Sequence, residues 1–130
     1  PDLSAFKKSG GKMISYFGWA DPDINPLTLI SYYNEVKSID SSVDNHFRIY
    51  MVPGMFHCRG GPGPDSFDLM SPLIDWVEQN IRPEQIPAWK ETKEGKQLTR
   101  PLCPHPKEAL LTATAFQCKV PSDISEIPRP

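Results

Sequence analysis

FRIYMVPGMFHCRGGPG, residues Phe47–Gly63, is the stretch that decides the fold. It opens with a continuous apolar run, Phe47–Val52, broken only by Arg48. A run of that length, bounded by turn residues, predicts a buried strand. Pro53–Gly54 turns the chain, and His57 and Cys58 follow at once. A strand that ends in a turn and then offers a histidine is how an open α/β sheet delivers a reactive side chain to its carboxyl edge.

An earlier segment repeats the arrangement. Met13–Phe17 (MISYF) is a short apolar run bounded by glycine and predicts another buried strand, after a helix end in Leu3–Gly11. Gly18–Pro26 follows as a polar loop carrying Asp21 and Asp23. Pro26 suits the first turn of a helix with Asn25 as its N-cap. Leu29, Ile30, Tyr33 and Val36 recur at helical spacing, which predicts a helix over Leu27–Ile39. Asp40–Asn45 reads as a polar turn.

Beyond the Pro53–Pro64 loop, Phe67, Met70, Leu73, Ile74, Val77 and Ile81 recur every three or four residues. They predict an amphipathic helix over Ser66–Asn80, with Asp65 and Asp68 suiting its first turn and Pro83 ending it. From Arg82 onward, prolines at 83, 87, 101, 104, 106, 121, 128 and 130 suggest an extended tail packed along a surface.

Strand, loop, helix, strand, loop, helix implies parallel strands with helical crossovers, an α/β fold. Parallel sheets are covered on both faces, so two strands need neighbours. They are expected from chain beyond these 130 residues. The opening Pro1–Asp2, in place of Met, fits an N-terminus elsewhere.

Composition narrows the function classes. Hydrophobic residues make up 38% and leave a modest core for one domain. A net charge of -2 gives no electrostatic case for nucleic acid or an anionic membrane surface. No apolar run approaches the roughly 20 residues that span a bilayer. Cys58, Cys103 and Cys118 are an odd number of cysteines, which in a secreted protein suggests a bridge to another segment or chain. None shows CxxC spacing, which argues against a zinc site; the adjacent pair His57–Cys58 with Cys103 would also lack a fourth ligand.

Asp21 lies four residues beyond the first expected strand and His57 five beyond the second. With the strands adjacent, carboxylate and imidazole can meet. The carboxylate would fix the ring tautomer and leave the other nitrogen to take a proton from a nucleophile. Acid before histidine matches the chain order of α/β-hydrolases. Asp23 competes for the acid role but reads as a loop cap. His46 and His105, beside polar or proline-rich turns, read as solvent-exposed. The nucleophile motif G-x-S-x-G is not found; Ser15 falls in a strand and Ser31 in a helix. The Gly60–Gly63 stretch lacks the spacing and lysine of a phosphate loop and reads as flexible positioning for the histidine.

GWADP (Gly18–Pro22), VPGMFHC (Val52–Cys58), GPGPD (Gly61–Asp65), DWVE (Asp75–Glu78) and RPLCPHP (Arg100–Pro106) together resemble, in order, the tannase/feruloyl esterase family. The resemblance runs from Leu3 to Cys118 and covers the C-terminal part of an α/β-hydrolase fold. It implies a division at residue 100, with 1–100 in the catalytic domain and 101–130 as an extended tail. It implies Asp21 as catalytic acid and His57 as catalytic histidine of a secreted serine esterase. The substrates implied are aromatic carboxylic esters, with galloyl, feruloyl and terephthaloyl acids all open. Serine, oxyanion hole, lid and the lid's calcium site would lie outside this chain, which itself would hold no cofactor. The family's pairing implies a disulfide from Cys58 to a cysteine outside the chain and another between Cys103 and Cys118. Phe17 departs from the family, many members of which have histidine there. The alternative expectation is a non-catalytic binding or structural module built on the same piece of fold.

Overall fold

The computed structural model describes residues 1–95 and 97–122. Strands β1 (Met13–Gly18) and β2 (Phe47–Val52) pair in parallel, from Met13 opposite Phe47 to Gly18 opposite Val52. Both end level, so the loops that follow leave from one edge of the sheet. Between them runs helix α2 (Leu27–Ile39), preceded at the chain start by α1 (Ser4–Lys8). Asn25 Oδ1 accepts the Leu27 N–H at 3.0 Å, so Asn25 caps α2 and Pro26 enters its first turn as expected.

Every residue of β2 is buried, and the side chains alternate between two clusters. Phe47 and Ile49 pack with Tyr33 and Val36 of α2 and with Val43. Tyr50 and Val52 pack on the opposite side with Met55, Ile86, Ala88 and Leu102. Arg48 is buried with each of its three guanidinium nitrogens engaged. It donates to the carbonyls of Asp44 and Pro83 and pairs with Glu84 at 3.1 Å. A charge can enter such an interior only with partners of this kind. β1 departs from the expected buried strand. Only its Gly18 is buried and Tyr16 is exposed, since no strand among the described residues covers its outer edge.

The second helix begins later than the apolar spacing suggests. Helix α3 spans Met70–Gln79, while Ser66–Phe67 forms a short strand, β3. Asp68 Oδ1 accepts the amides of Met70 and Ser71, so Asp68 caps α3 instead of sitting in its first turn. Phe67 serves another neighbour, meeting the Tyr16 ring edge-on at 5.0 Å between centroids. The helix stops at Asn80, left-handed at φ 56°, before Pro83 is reached.

The proline-rich segment is more ordered than an extended tail. Strand β4 (Ala88–Glu91) pairs antiparallel with β3 and with β5 (Gln97–Thr99). A hairpin of β6 (Glu108–Leu111) and β7 (Phe116–Lys119) follows. Prolines fall between strands or at edges, where no ladder donor is lost. Pro104 bridges Tyr50, and the His105 N–H donates to the Ile49 carbonyl at 2.9 Å, so this segment covers the free edge of β2. Cys103 and Cys118 are joined in a disulfide with Cα atoms 5.5 Å apart. Closing a loop of 15 residues stabilises the fold by about 3 kcal/mol in the chain-entropy model. The expected tail's last stretch, 123–130, lies outside the described residues.

Candidate active site

The two loops that leave the common edge of β1 and β2 are tied to each other. The Trp19 N–H donates to the Val52 carbonyl at 2.9 Å and the Ala20 N–H to the Met55 carbonyl at 3.1 Å. Gly18 permits this approach. A Cβ there would collide with the carbonyl oxygens of Met55 and Phe56. The last residue of β1 therefore lies directly against the loop that carries the histidine.

Asp21 and His57 meet across this seam. His57 Nδ1 lies 2.7 Å from Asp21 Oδ2. The Asp21 side chain is 1% exposed, while the His57 side chain is 47% exposed. One end of the dyad is covered and the other is open. The remaining oxygen of Asp21 accepts the amides of Asp23 at 2.8 Å and Ile24 at 3.0 Å. Asp21, not Asp23, is thus the carboxylate that caps the loop, and both of its oxygens are used. Asp23 itself is exposed.

Burial pushes the Asp21 carboxyl up, but the Ile24 amide, the His57 ring and the Asp23 amide outweigh it and hold Asp21 below the usual carboxylate range. Asp21 is therefore ionised at neutral pH and accepts the Nδ1 hydrogen of His57. Nε2 is left as the basic nitrogen. The bond to Asp21 and then its charge raise the His57 pKa, opposed by partial desolvation and helped by the charge of Asp23.

The loop from Pro53 to Asp65 is closed by its own backbone. The Phe56 N–H donates to Gly60 O at 3.2 Å and the Gly63 N–H to Gly54 O at 3.1 Å. The Arg59 N–H donates to His57 O at 2.8 Å, with Cys58 between them at φ 64°. That three-residue turn is a rare backbone state for a residue with a side chain. Gly54 and Gly61 also have positive φ, and a Cβ on Gly61 or Gly63 would strike the carbonyl of Gly54 or Pro53. The glycines serve close backbone approach here, where the sequence suggested flexibility.

A cleft of roughly 250 Å³ opens beside the dyad, walled by Tyr16, Phe17 and Met55 and reaching Cys58. Cys58 is an exposed free thiol, whereas Cys103 and Cys118 are paired with each other. Among the described residues no three His, Cys, Asp or Glu side chains come together in a way that could hold a metal ion.

The other two histidines are not exposed as expected. His46 is 3% exposed, and neither ring nitrogen has a partner among the described residues. Its carbonyl accepts the Met13 amide and its amide donates to Val43, which draws the ring into the core at the entry to β2. His105 is half-buried, edge-on to Tyr33 at 5.7 Å. Burial pushes both below the ordinary histidine value. Sequence reasoning missed Gly18 as the contact point of the two loops, although its place directly after a strand and before Trp-Ala-Asp was a usable signal. It also missed Tyr16 as a wall of the cleft, because a strand run does not say which of its side chains faces an open edge.

Comparison with known proteins identifies the family and the fold. The family model described as tannase and feruloyl esterase matches residues 1–124. Mono(2-hydroxyethyl) terephthalate hydrolase of Piscinibacter sakaiensis is 40% identical over 130 aligned positions, covering 92% of this chain and 22% of that protein. A probable feruloyl esterase of Arthroderma benhamiae is 40% identical over 113 positions, covering 82% of this chain and 21% of that protein. The structure of tannin acyl hydrolase from Aspergillus niger superposes with a TM-score of 0.77 at 29% identity, over 100% of this chain and 28% of that one. The chain thus spans between a fifth and three tenths of the length of these relatives.

Proposed function

Since the chain belongs to the tannase and feruloyl esterase family of α/β-hydrolases, we propose that it supplies the acid and the histidine of a serine esterase, with Asp21 and His57 in those roles. The observation that carries the reading is the 2.7 Å contact between a covered carboxylate and an open imidazole at the carboxyl ends of adjacent parallel strands. The nucleophilic serine is supplied from outside these 130 residues, in keeping with the share of its relatives that the chain spans.

The mechanism is a two-step acyl transfer. His57 Nε2 takes the serine hydroxyl proton as the oxygen attacks the ester carbonyl. Backbone amides outside this chain hold the oxyanion. The imidazolium, stabilised by Asp21, gives its proton to the departing alkoxide and leaves an acyl-enzyme. His57 then takes a proton from water, the hydroxide attacks the acyl carbon, and the carboxylic acid departs as the serine oxygen regains the proton.

The acyl group is aromatic. The names of the relatives point to terephthalate, feruloyl and tannin esters, and Tyr16 and Phe17 give the cleft an aromatic wall. Cys58, exposed and directly after His57, bridges to a cysteine outside the chain and ties the histidine loop to the serine's segment. A disulfide elsewhere in the chain supports a secreted enzyme in an oxidising compartment. The complete enzyme should release free acid from methyl ferulate, methyl gallate or mono(2-hydroxyethyl) terephthalate under steady-state assay. Turnover of none of the three would contradict the reading.

A further inference from the structure

Among the described residues, the backbone hydrogen bonds of the acid loop to the histidine loop fall on one arm. The Trp19 and Ala20 amides grip the carbonyls of Val52 and Met55, on the arm that leads into His57. The arm that leads out, Cys58–Gly61, includes the strained turn at Cys58 and two glycines at φ 79° and 86°. Among the described residues no hydrogen bond from the acid loop reaches this arm, and glycines of this kind have many other conformations open to them.

That second arm is held from β4. Lys90 Nζ donates to the Gly61 carbonyl and lies 3.4 Å from Asp65 Oδ2. The same Asp65 oxygen accepts the Gly60 N–H at 2.7 Å. Gly60 in turn receives the Phe56 amide on its own carbonyl. Lys90 is brought there by strand pairing: Ser66 stands opposite Trp89, and the Asp65 N–H donates to the Trp89 carbonyl at 3.2 Å. The two charged side chains are only 26% and 17% exposed, so water screens them less than a surface pair.

We infer that Lys90 and Asp65 are positioning residues for His57, clamping the Gly60–Gly61 turn so that the imidazole stays in register with Asp21. The inference rests on the reading of His57 as general base. Neither residue touches the dyad. Without the clamp, the exit arm relaxes from the turn at Cys58 and the ring drifts from the carboxylate. A displacement of about 1 Å in a catalytic group is enough to cost roughly 10²-fold in rate.

The test uses the complete enzyme and compares Lys90→Met, Asp65→Asn and the double variant with wild type. Lys90→Met is expected to lower kcat by roughly 10- to 100-fold with KM within about twofold of wild type. The acidic limb of its kcat/KM profile is expected to move to lower pH, because a ring that has left Asp21 is a weaker base. A residue that only stabilised the fold would change the melting temperature and leave that limb in place. Asp65→Asn is nearly isosteric and can still accept the Gly60 amide, so its effect has the same sign and is smaller. The double variant should be no slower than Lys90→Met alone, because both act on one turn. An unchanged kcat and acidic limb in Lys90→Met overturns the inference. If that variant does not fold, the same unchanged values in Asp65→Asn overturn it. His57→Ala separates the two levels. Wild-type turnover in His57→Ala removes the reading beneath, whereas an inactive His57→Ala beside a wild-type-like Lys90→Met removes the clamp alone.

Discussion

In the complete enzyme, His57→Ala is expected to lower kcat by on the order of 10⁴- to 10⁶-fold, with the protein folded and substrate still bound. The size follows from the role proposed for the ring. A serine hydroxyl is a poor nucleophile until a base takes its proton, and His57 Nε2 is the basic nitrogen at the open end of the dyad. Neither of this chain's other histidines can take over: His46 is buried in the core and His105 packs on Tyr33. Folding should survive, because the His57 side chain is half exposed and its backbone contacts do not depend on the ring. Steady-state kinetics with methyl ferulate and a melting curve of the same sample check both halves.

Asp21→Asn is expected to lower kcat by on the order of 10⁴-fold while leaving the geometry close to wild type. Asparagine can keep its oxygen on the Asp23 and Ile24 amides, so the loop stays capped. Its NH2 then faces His57 Nδ1 and donates to it. The ring hydrogen is driven to Nε2, where a base is needed, and no negative charge remains to stabilise the imidazolium. The pH profile carries the same signature. His57 must be neutral to act, and Asp21 raises its pKa, first through the hydrogen bond and then through charge. In wild type, activity therefore rises with pH through a value above that of an ordinary histidine. In Asp21→Asn the limb should move to lower pH even as the plateau falls. A limb that stays put would mean that Asp21 does not govern the ring.

The two strands and the two catalytic candidates were legible because they share one signal. Each apolar run ends in glycine or proline followed by a lone functional side chain, and the periodicity of α2 fixed the crossover between them. Elsewhere the patterns misled for identifiable reasons. Phe67 fits the helical spacing of α3, yet its backbone is taken by pairing with Ala88 and its ring by Tyr16. Prolines hid β4–β7, because proline density says nothing about the residues between, and Ile86, Ala88 and Leu102 are in fact core. Arg48 read as an interruption but is a buried cation satisfied by carbonyls. His46 read as exposed because its neighbours are polar, whereas strand pairing draws it inward. Lys90 could not be linked to the histidine loop from sequence, since the link depends on the unrecognised pairing of β3 with β4.

The central claim, that His57 activates a serine carried outside these 130 residues, is tested most directly by covalent labelling. The complete enzyme and its His57→Ala variant would be treated with a fluorophosphonate and the modified residue located by mass spectrometry. The account predicts one phosphonylated serine per wild-type molecule, outside the segment described here, and labelling slowed by several orders of magnitude in His57→Ala. Equal labelling rates in the two proteins, or a label placed within this chain, would contradict it.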